Sequence, residues 1–174
     1  MNHLYNGWHV LYVKSRHEKK VYDLLLELSL DAFLPLMKTV KKWSDRKKII
    51  YQPLFPSYVF VNLTSSLDFH KALSVSGACA YIRFGKEYAK VTDKEINNIK
   101  FLVQEDEITE INVNAQLPKK GELKEITYGP LEGLVCEILK VNNENKIVVR
   151  IDSLQQNITA TIPANYLQEI ERAV

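Results

Sequence analysis

Cysteine is scarce in this sequence: only Cys79 and Cys136 occur among its 174 residues. Two cysteines so far apart do not form the framework of a disulfide-rich domain, and they lack the spacing of a zinc site. Both stand in apolar or strand-like stretches. We therefore expect two reduced, buried cysteines in a cytoplasmic protein.

Long apolar runs are also missing from the chain. No run approaches the roughly 18 residues that a membrane-spanning helix needs. The segment Met1–Gly7 lacks the positively charged region followed by an apolar region that marks a signal peptide. Neither membrane insertion nor secretion is expected.

The common sequence motifs of enzymes are absent as well. The four histidines show no paired metal-binding spacing, and the chain has no glycine-rich phosphate loop and no nucleophile elbow. The sequence therefore predicts a protein without catalytic activity, metal or cofactor.

The net charge of +2 conceals an uneven distribution along the chain. Up to Asp106 there are 16 Lys and Arg against 11 Asp and Glu, a balance of +5, whereas the remainder has 7 against 10, a balance of −3. Opposite signs indicate two units with different partners. The basic first unit is the better candidate for nucleic acid.

Strands and helices alternate in the first part of the chain. Residues Trp8–Lys14 have the length and the β-branched and aromatic content of a strand. Ser15 and Glu18 have the spacing of a capping box, and the apolar positions that follow predict a helix over 16–29. Together with the remaining elements this pattern is typical of an α+β domain, an antiparallel sheet packed by helices. Those elements are strands at Ala32–Pro35, Ile49–Gln52, Ser57–Leu63 and Ala80–Phe84, a helix at Leu67–Ser74, and a helix after the capping box Thr92 to Glu95.

The pattern changes after Val103. Residues Gln104–Pro118 are polar and acidic without sustained periodicity, which is typical of a linker. From Gly121 onward only short strands are predicted, an arrangement that indicates a small all-β barrel. These strands are Leu123–Ile126, Leu134–Val141, Ile147–Ile151 and Ile158–Ile162. We therefore expect a first domain at 1–105, a linker at 106–118 and a barrel domain at 119–174.

The stretch Pro53–Leu63 is the most specific feature of the first part. Alternation along this strand puts Tyr58 and Phe60 on one face, and Tyr12 of the first strand can share that face. Two interpretations are open. The aromatic side chains form an apolar binding surface rimmed by charge, or they all belong to the core.

Several motifs together resemble the N-terminal domain of the NusG family of transcription elongation factors. They are Trp8-x-x-x-Tyr12, Glu18, Phe33-Leu34-Pro35, the run PLFPSYVFV from Pro53 to Val61, and Arg83-Phe84-Gly85. In the second part, the run Gly129, Pro130, Leu131, Glu132 and Gly133 is similar to the KOW motif of this family's SH3-like C-terminal barrel. Both motifs occur in the family's order, and the resemblance covers about residues 8–170.

Within the family the chain is more similar to the specialised UpxY and RfaH types than to the general factor. The runs Arg16–Val21 and Lys42–Lys48 resemble UpxY, the antiterminators linked to surface polysaccharide operons. Two departures from the family are visible. Ser57 stands where the general factors have glycine, and the Thr-rich loop of RfaH has no clear counterpart near Asp68–Lys71.

The resemblance implies a transcription elongation and antitermination factor that binds the clamp helices of RNA polymerase and suppresses pausing and termination on specific operons. By position match, the residues that would dock on polymerase are Tyr12, Phe55, Pro56, Tyr58, Phe60 and Phe84. The residues that would contact the non-template DNA strand are Lys14, Arg16, His17, Lys19 and Lys20. For this basic group a merely solvated helix surface remains the alternative. The charged excursion Lys38–Lys48 predicts a long hairpin, which either meets upstream DNA or keeps edge strands soluble.

The acidic second part is a poor ligand for nucleic acid by charge. The resemblance implies a protein partner there, such as a ribosomal small-subunit protein, and a monomeric chain. The alternative function is a KOW-bearing RNA-binding or ribosome-associated module without polymerase contact. An RNA-binding barrel would need basic charge, but the second part of this sequence is net acidic.

Overall fold

The computed structural model describes residues 5–42, 47–106, 108–114, 122–126, 132–133, 135–141, 144–163 and 167–169. The contacts between Cα atoms divide the chain into two compact units, Met1–Asp93 and Lys94–Val174. Within the described ranges no helix combines the length and the apolar character needed to cross a bilayer.

The first unit is built on an antiparallel sheet, and the elements predicted for it are confirmed with shifts of a few residues. Its strands are β1 (Gly7–Val13), β2 (Asp31–Phe33), β3 (Leu36–Lys42), β4 (Lys47–Pro53), β5 (Tyr58–Leu63), β6 (Ala78–Tyr81), β7 (Arg83–Phe84), β8 (Glu87–Tyr88) and β9 (Lys90–Val91), and its helices are α1 (Glu18–Glu27) and α2 (Ser66–Ser74). The main sheet has the order β2-β5-β1-β6, and β9 also pairs with β1.

One face of the main sheet packs against both helices. Leu11 of β1 and Val59 and Val61 of β5 are completely buried, because alternate residues of a strand project to the same face. They lie in one apolar cluster with the helix residues Val21, Leu25, Phe69 and Ala72. Burying a side chain of this kind stabilises the fold by about 1.5–3 kcal/mol relative to leaving it in water. This apolar cluster of the first unit therefore lies between the sheet and the two helices.

The capping box predicted at the start of α1 is wrong. Arg16 has a left-handed backbone, with φ of 63°, and α1 begins at Glu18 with His17 as the N-cap and no capping bond from its side chain. The Glu18 carboxylate instead accepts a hydrogen bond from the backbone N–H of Ser57, at 2.8 Å. The Glu18 side chain therefore bonds a residue distant in sequence instead of capping the helix start. Ser15 lies ahead of the N-cap position.

The predicted hairpin is confirmed along its two strands. β3 and β4 form a separate two-stranded sheet whose register runs from Leu36 opposite Pro53 to Lys42 opposite Lys47. The predicted turn, residues 43–46, lies outside the described residues. At the base of the hairpin, the Leu54 N–H donates to the Pro35 carbonyl at 2.8 Å.

The second unit combines a helix with an antiparallel sheet. The helix is α3 (Asp93–Gln104), which begins after Thr92 as predicted and buries Ile96, Ile99 and Leu102. The strands are β10 (Thr109–Asn114), β11 (Glu122–Ile126), β12 (Val135–Val141), β13 (Glu144–Ile151), β14 (Gln156–Thr161) and β15 (Leu167–Glu169), and a 3₁₀ turn covers Asp152–Leu154. Glu95 of α3 accepts hydrogen bonds from the N–H and the hydroxyl of Ser153, at 3.2 and 2.7 Å.

The sheet of the second unit differs from the prediction in two respects. Its order is β10-β14-β13-β12-β11-β15, which over the described residues is an open sheet, so the closed barrel is not confirmed. In addition, Thr109–Asn114 was placed in the linker but pairs with β14. Ile111 and Val113 are half-buried between exposed neighbours, a period-two pattern too short to stand out among polar residues.

Candidate functional site

The two tyrosines predicted for the polymerase contact lie side by side; together with Pro56 and Phe84 we call them the docking face. β1 and β5 are antiparallel neighbours, and their register puts Tyr12 opposite Tyr58. The ring centroids are 6.4 Å apart in an edge-to-face arrangement, a geometry that aromatic pairs favour. Tyr12 is 46% exposed and Tyr58 is half-buried. This tyrosine pair presents aromatic surface at one end of the main sheet.

Phe55 and Phe60, which the sequence also assigned to the polymerase contact, are buried. Phe60 is completely buried and Phe55 is 2% exposed, and their rings lie 5.6 Å apart between centroids. Phe60 shares a face with Tyr58 but lies two residues further along β5, opposite the fully buried Val10. Neither ring can contact a partner from this position. The prediction of a direct contact is corrected: both phenylalanines belong to the buried core.

The loop between β4 and β5 carries the exposed Pro56. After it, Ser57 has a left-handed backbone, with φ of 63°, at the position where the sequence departs from the family's glycine. The Ser57 carbonyl accepts a hydrogen bond from the Val13 N–H at 2.8 Å, while its own N–H donates to Glu18. Sequence reasoning missed this contact, since the spacing of Glu18 indicated a helix cap.

Phe84 lies on a separate short hairpin formed by β7 and β8. It is 41% exposed, and Gly85 makes the turn with φ of 64°, a conformation that glycine adopts readily. The Arg83 guanidinium lies 4.2 Å from the centroid of the Tyr88 ring and donates a hydrogen bond to the Tyr88 hydroxyl. Tyr88 in turn contacts Phe69 edge-on, with 5.1 Å between centroids. The hairpin that presents Phe84 is therefore braced against buried aromatic residues.

The predicted DNA-contacting residues lie in one continuous segment after β1, which we call the basic turn (residues 14–20). Its backbone is fixed, because the Lys14 N–H donates to the Gly77 carbonyl at 2.9 Å and the His17 N–H donates to the Lys14 carbonyl at 3.0 Å. Glu18, the acidic residue of the segment, is 7% exposed and turned inward. The outer surface of the turn is therefore basic. Its members are Lys14, Arg16, Lys19 and Lys20, all exposed, and the half-buried His17.

The β3–β4 hairpin carries an exposed apolar face that the sequence did not predict. Val40 and Ile49 lie opposite each other and are 54% and 52% exposed, and Tyr51, opposite Lys38, is 65% exposed. Strand alternation puts these side chains on one face. The run Ile49-Ile50-Tyr51 is apolar on both faces, so its sequence does not show which face is covered.

The KOW-like motif is described only in part. Gly129, Pro130 and Leu131 lie outside the described residues, whereas Glu132 and Gly133 form an exposed turn between β11 and β12. Gly133 has φ of 83°, and its N–H donates to the Ile126 carbonyl at 2.8 Å. A left-handed backbone accounts for glycine at this position.

Two basic side chains of β13 are paired with acidic neighbours. The Arg150 Nη2 donates to both oxygens of Glu137, at 2.8 and 2.9 Å, and the Lys146 Nζ lies 2.7 Å from Glu110. Hydrogen bonds from Lys146 and Thr161 lower the pKa of the Glu110 carboxyl. Because these cations are compensated, β13 offers little attraction for a nucleic-acid phosphate.

The two cysteines differ, contrary to the prediction that both are buried. Cys136 is buried, and this burial raises the pKa of its thiol to about 12, so the reactive thiolate is suppressed at neutral pH. Cys79 is exposed. It lies on β6 at an edge of the main sheet, and the apolar residues around it in the sequence do not reveal that edge position.

The geometry defines a protein of two units, whose first unit presents a tyrosine pair next to a basic turn. The NusG family, described as "Transcription termination factor nusG", matches residues 6–100, which is more than half of the chain. The protein therefore belongs to the NusG family of transcription factors. The matched segment includes every residue predicted for the polymerase and DNA contacts.

One solved structure agrees with this assignment at the level of the fold. The structure described as "Domain interaction in Thermotoga maritima NusG" is similar with a TM-score of 0.58 and 22% sequence identity, over 95% of this chain and 97% of that chain. The structure described as "Crystal Structure of MjSpt4:Spt5 complex conformation A" matches with a TM-score of 0.33 and 13% identity, over 94% and 97%. The second similarity is too low to support an argument.

Proposed function

We propose that this NusG-family protein is a transcription elongation and antitermination factor that binds the clamp helices of RNA polymerase through its first unit. The observation that carries the proposal is the tyrosine pair, with Tyr12 exposed and Tyr58 half-buried, within the segment that matches the family. Exposed aromatic side chains held in a fixed geometry are typical of the few residues that supply most of the affinity at a protein interface. Pro56 beside the pair and Phe84 on its own hairpin extend the docking face.

Binding at the clamp accounts for an effect on elongation. The clamp of RNA polymerase closes over DNA, and its opening accompanies pausing and termination. A protein that binds the closed state more tightly than the open state shifts the population toward the closed state. Pausing and termination are then suppressed without any catalytic step, metal or cofactor.

The basic turn supports a second contact, with the non-template DNA strand. Lys14 follows Tyr12 by two residues, and both residues are exposed. We expect a protein partner at Tyr12 and a phosphate at Lys14 to be bound at the same time. Phosphate attraction supplies affinity for DNA of any sequence.

The type of NusG-family factor that we propose here is inferred from sequence resemblance. The runs Arg16–Val21 and Lys42–Lys48 support a specialised factor of the UpxY or RfaH type that serves particular operons, such as surface polysaccharide clusters. The second unit, with its paired cations on β13, supports a protein partner, for which we propose a ribosomal small-subunit protein and a closed KOW barrel. We propose a monomer that acts in the cytoplasm.

Binding to purified core RNA polymerase tests the proposal. Wild-type protein should bind, and Tyr12→Ala should weaken binding by about 2 kcal/mol, or about 30-fold, as expected for a central aromatic anchor. Leu67→Ala is the matched control, because Leu67 is an exposed apolar residue on α2, 61% exposed, outside the docking face. Wild-type protein that binds RNA but not polymerase would favour the KOW-bearing RNA-binding module instead.

A further inference from the structure

Glu18 is a buried carboxylate for which the proposed docking face and the basic turn give no direct role. It is 7% exposed, although it lies in a basic segment whose lysine and arginine side chains are exposed. A carboxylate is costly to bury unless hydrogen-bond donors reach its oxygens. Here the backbone N–H of Ser57 donates to the Glu18 Oε1 at 2.8 Å, and the two residues are 39 positions apart in the chain.

The bond acts on a backbone conformation that is otherwise unfavourable. Ser57 has φ of 63°, in the left-handed region that residues with a Cβ disfavour. A charge-assisted hydrogen bond to its N–H is stronger than a neutral one and opposes relaxation of this residue. Because Tyr58 follows directly, the backbone of Ser57 determines where the Tyr58 ring points.

The same bond joins the two surfaces of the first unit. Ser57 is held from one side by Glu18 at the start of α1 and from the other by the Val13 N–H at the end of β1. Residues 14–17 of the basic turn lie between these two attachment points. Ser57, in loop 55–58, is therefore hydrogen-bonded to both ends of this stretch of chain.

We propose that Glu18 is a positioning residue that holds loop 55–58 so that Pro56 and Tyr58 face the partner, and that ties this loop to the basic turn. The proposal rests on the function proposed above. Glu18 itself touches neither polymerase nor DNA; it fixes the backbone from which the contacting residues project.

Three variants test this role. Glu18→Ala removes the acceptor, Glu18→Gln keeps an oxygen at the same place, and Glu27→Ala removes the same charge from the exposed end of the same helix. The first readout is hydrogen exchange at the Ser57 amide, compared with the core amides of Val59 and Val61. The second is polymerase affinity, corrected for the folded fraction of each variant.

We expect Glu18→Ala to speed exchange at Ser57 by about tenfold or more and to weaken polymerase binding by about tenfold, on the scale of one lost hydrogen bond to a charged group. Protection at Val59 and Val61 should persist. Glu18→Gln should retain affinity within about threefold, since its amide oxygen still accepts. Glu27→Ala should match the wild type in both measurements.

Several outcomes would overturn the positioning role. One is fast hydrogen exchange at Ser57 in Glu18→Ala with unchanged affinity for polymerase. Another is an equal loss of polymerase affinity in Glu18→Ala and Glu18→Gln, together with lost protection from exchange at Val59 and Val61. Tyr12→Ala, measured alongside, separates this failure from failure of the proposed function. If Tyr12→Ala weakens binding and Glu18→Ala does not, the positioning role alone is wrong. If neither variant weakens binding, the docking face itself is wrong.

Discussion

Tyr12 and Phe60 project from the same face of neighbouring strands, but their side chains are 46% and 0% exposed. Phe60→Ala should lower the free energy of unfolding by about 3–5 kcal/mol, because deletion of a buried ring leaves a cavity. Tyr12→Ala should lower it by less than about 1 kcal/mol, since surface substitutions rarely cost more. Urea denaturation measures both values. Equal losses in the free energy of unfolding would contradict the assignment of Phe60 to the core and of Tyr12 to the exposed contact surface.

Gly77 and Gly85 both have positive φ, but only Gly77 is enclosed. A Cβ at Gly77, where φ is 104°, would lie 2.9 Å from the Val21 Cγ2, whereas a Cβ at Gly85 would meet nothing within 4 Å. Gly77→Ala should therefore destabilise the protein by on the order of 2–4 kcal/mol, through strain and overpacking together. Gly85→Ala, the control, should cost about 1 kcal/mol from strain alone. Equal changes in the denaturation midpoint would refute this reading of Gly77, which packs beside His17 of the basic turn.

Single-residue burial was the part of the candidate site least accessible from sequence. Strand alternation put Tyr12, Tyr58 and Phe60 on one face, and the register confirms that shared face. Alternation does not show where along the strands that face becomes covered. Exposure depends on elements distant in sequence, so Phe60 was assigned to the surface and Cys79 to the core.

At the scale of elements, prediction succeeded where periodicity was strong and sustained. The apolar spacing of α1 and α3, the β-branched and aromatic content of β1 and the alternation of β5 predicted those elements with small shifts at their ends. Prediction failed where a tertiary contact overrode a local rule, as when Glu18 bonded Ser57 instead of capping α1. It also failed at β10, whose two inward-facing residues are too few to distinguish a strand from a linker.

The basic turn as a unit yields a prediction about DNA. Reversal of Lys14, Arg16 and Lys20 to Glu should reduce crosslinking to the non-template strand and flatten the salt dependence of recruitment, because fewer phosphate contacts release fewer counterions. Docking through the tyrosine pair should persist.

A second triple variant controls for net charge. Lys71, Lys86 and Lys94 are exposed outside the basic turn, and their reversal to Glu changes the total charge by the same amount. If both triple variants lose crosslinking equally on complexes with a single-stranded non-template bubble, the basic turn is only a solvated surface.

In the whole molecule, the boundary between the first and second units falls at different places around α3, depending on how it is defined. Contacts end the first unit at Asp93, the family match extends to residue 100, and the sequence predicts the boundary at 105. Hydrogen bonds from Ser153 to Glu95 join α3 to the 3₁₀ turn at Asp152–Leu154. The predicted linker over 106–118 is shortened by β10, and independent folding of a domain over 1–105 stays a prediction.

Limited trypsin digestion tests the linker. Lys119 and Lys120 follow β10 in the chain, whereas Lys100 lies within α3 and Lys124 within β11. The sequence predicts a linker that ends at residue 118, and proteases preferentially cut exposed linkers, so we expect the first cleavage after Lys119 or Lys120. A first cut after Lys100 or Lys124 would place the boundary elsewhere.

The central claim is that the tyrosine pair docks this protein on RNA polymerase and thereby shortens pauses. The most direct measurement is pause lifetime during single-round elongation by purified polymerase, with wild-type protein, Tyr12→Ala and the exposed-surface control Leu67→Ala titrated in parallel. We expect wild type and Leu67→Ala to shorten pauses at the same concentration. Tyr12→Ala should need about 30-fold more protein for the same shortening, the equivalent of about 2 kcal/mol of binding free energy. Unchanged pause lifetimes with wild-type protein, or full activity of Tyr12→Ala, would contradict it.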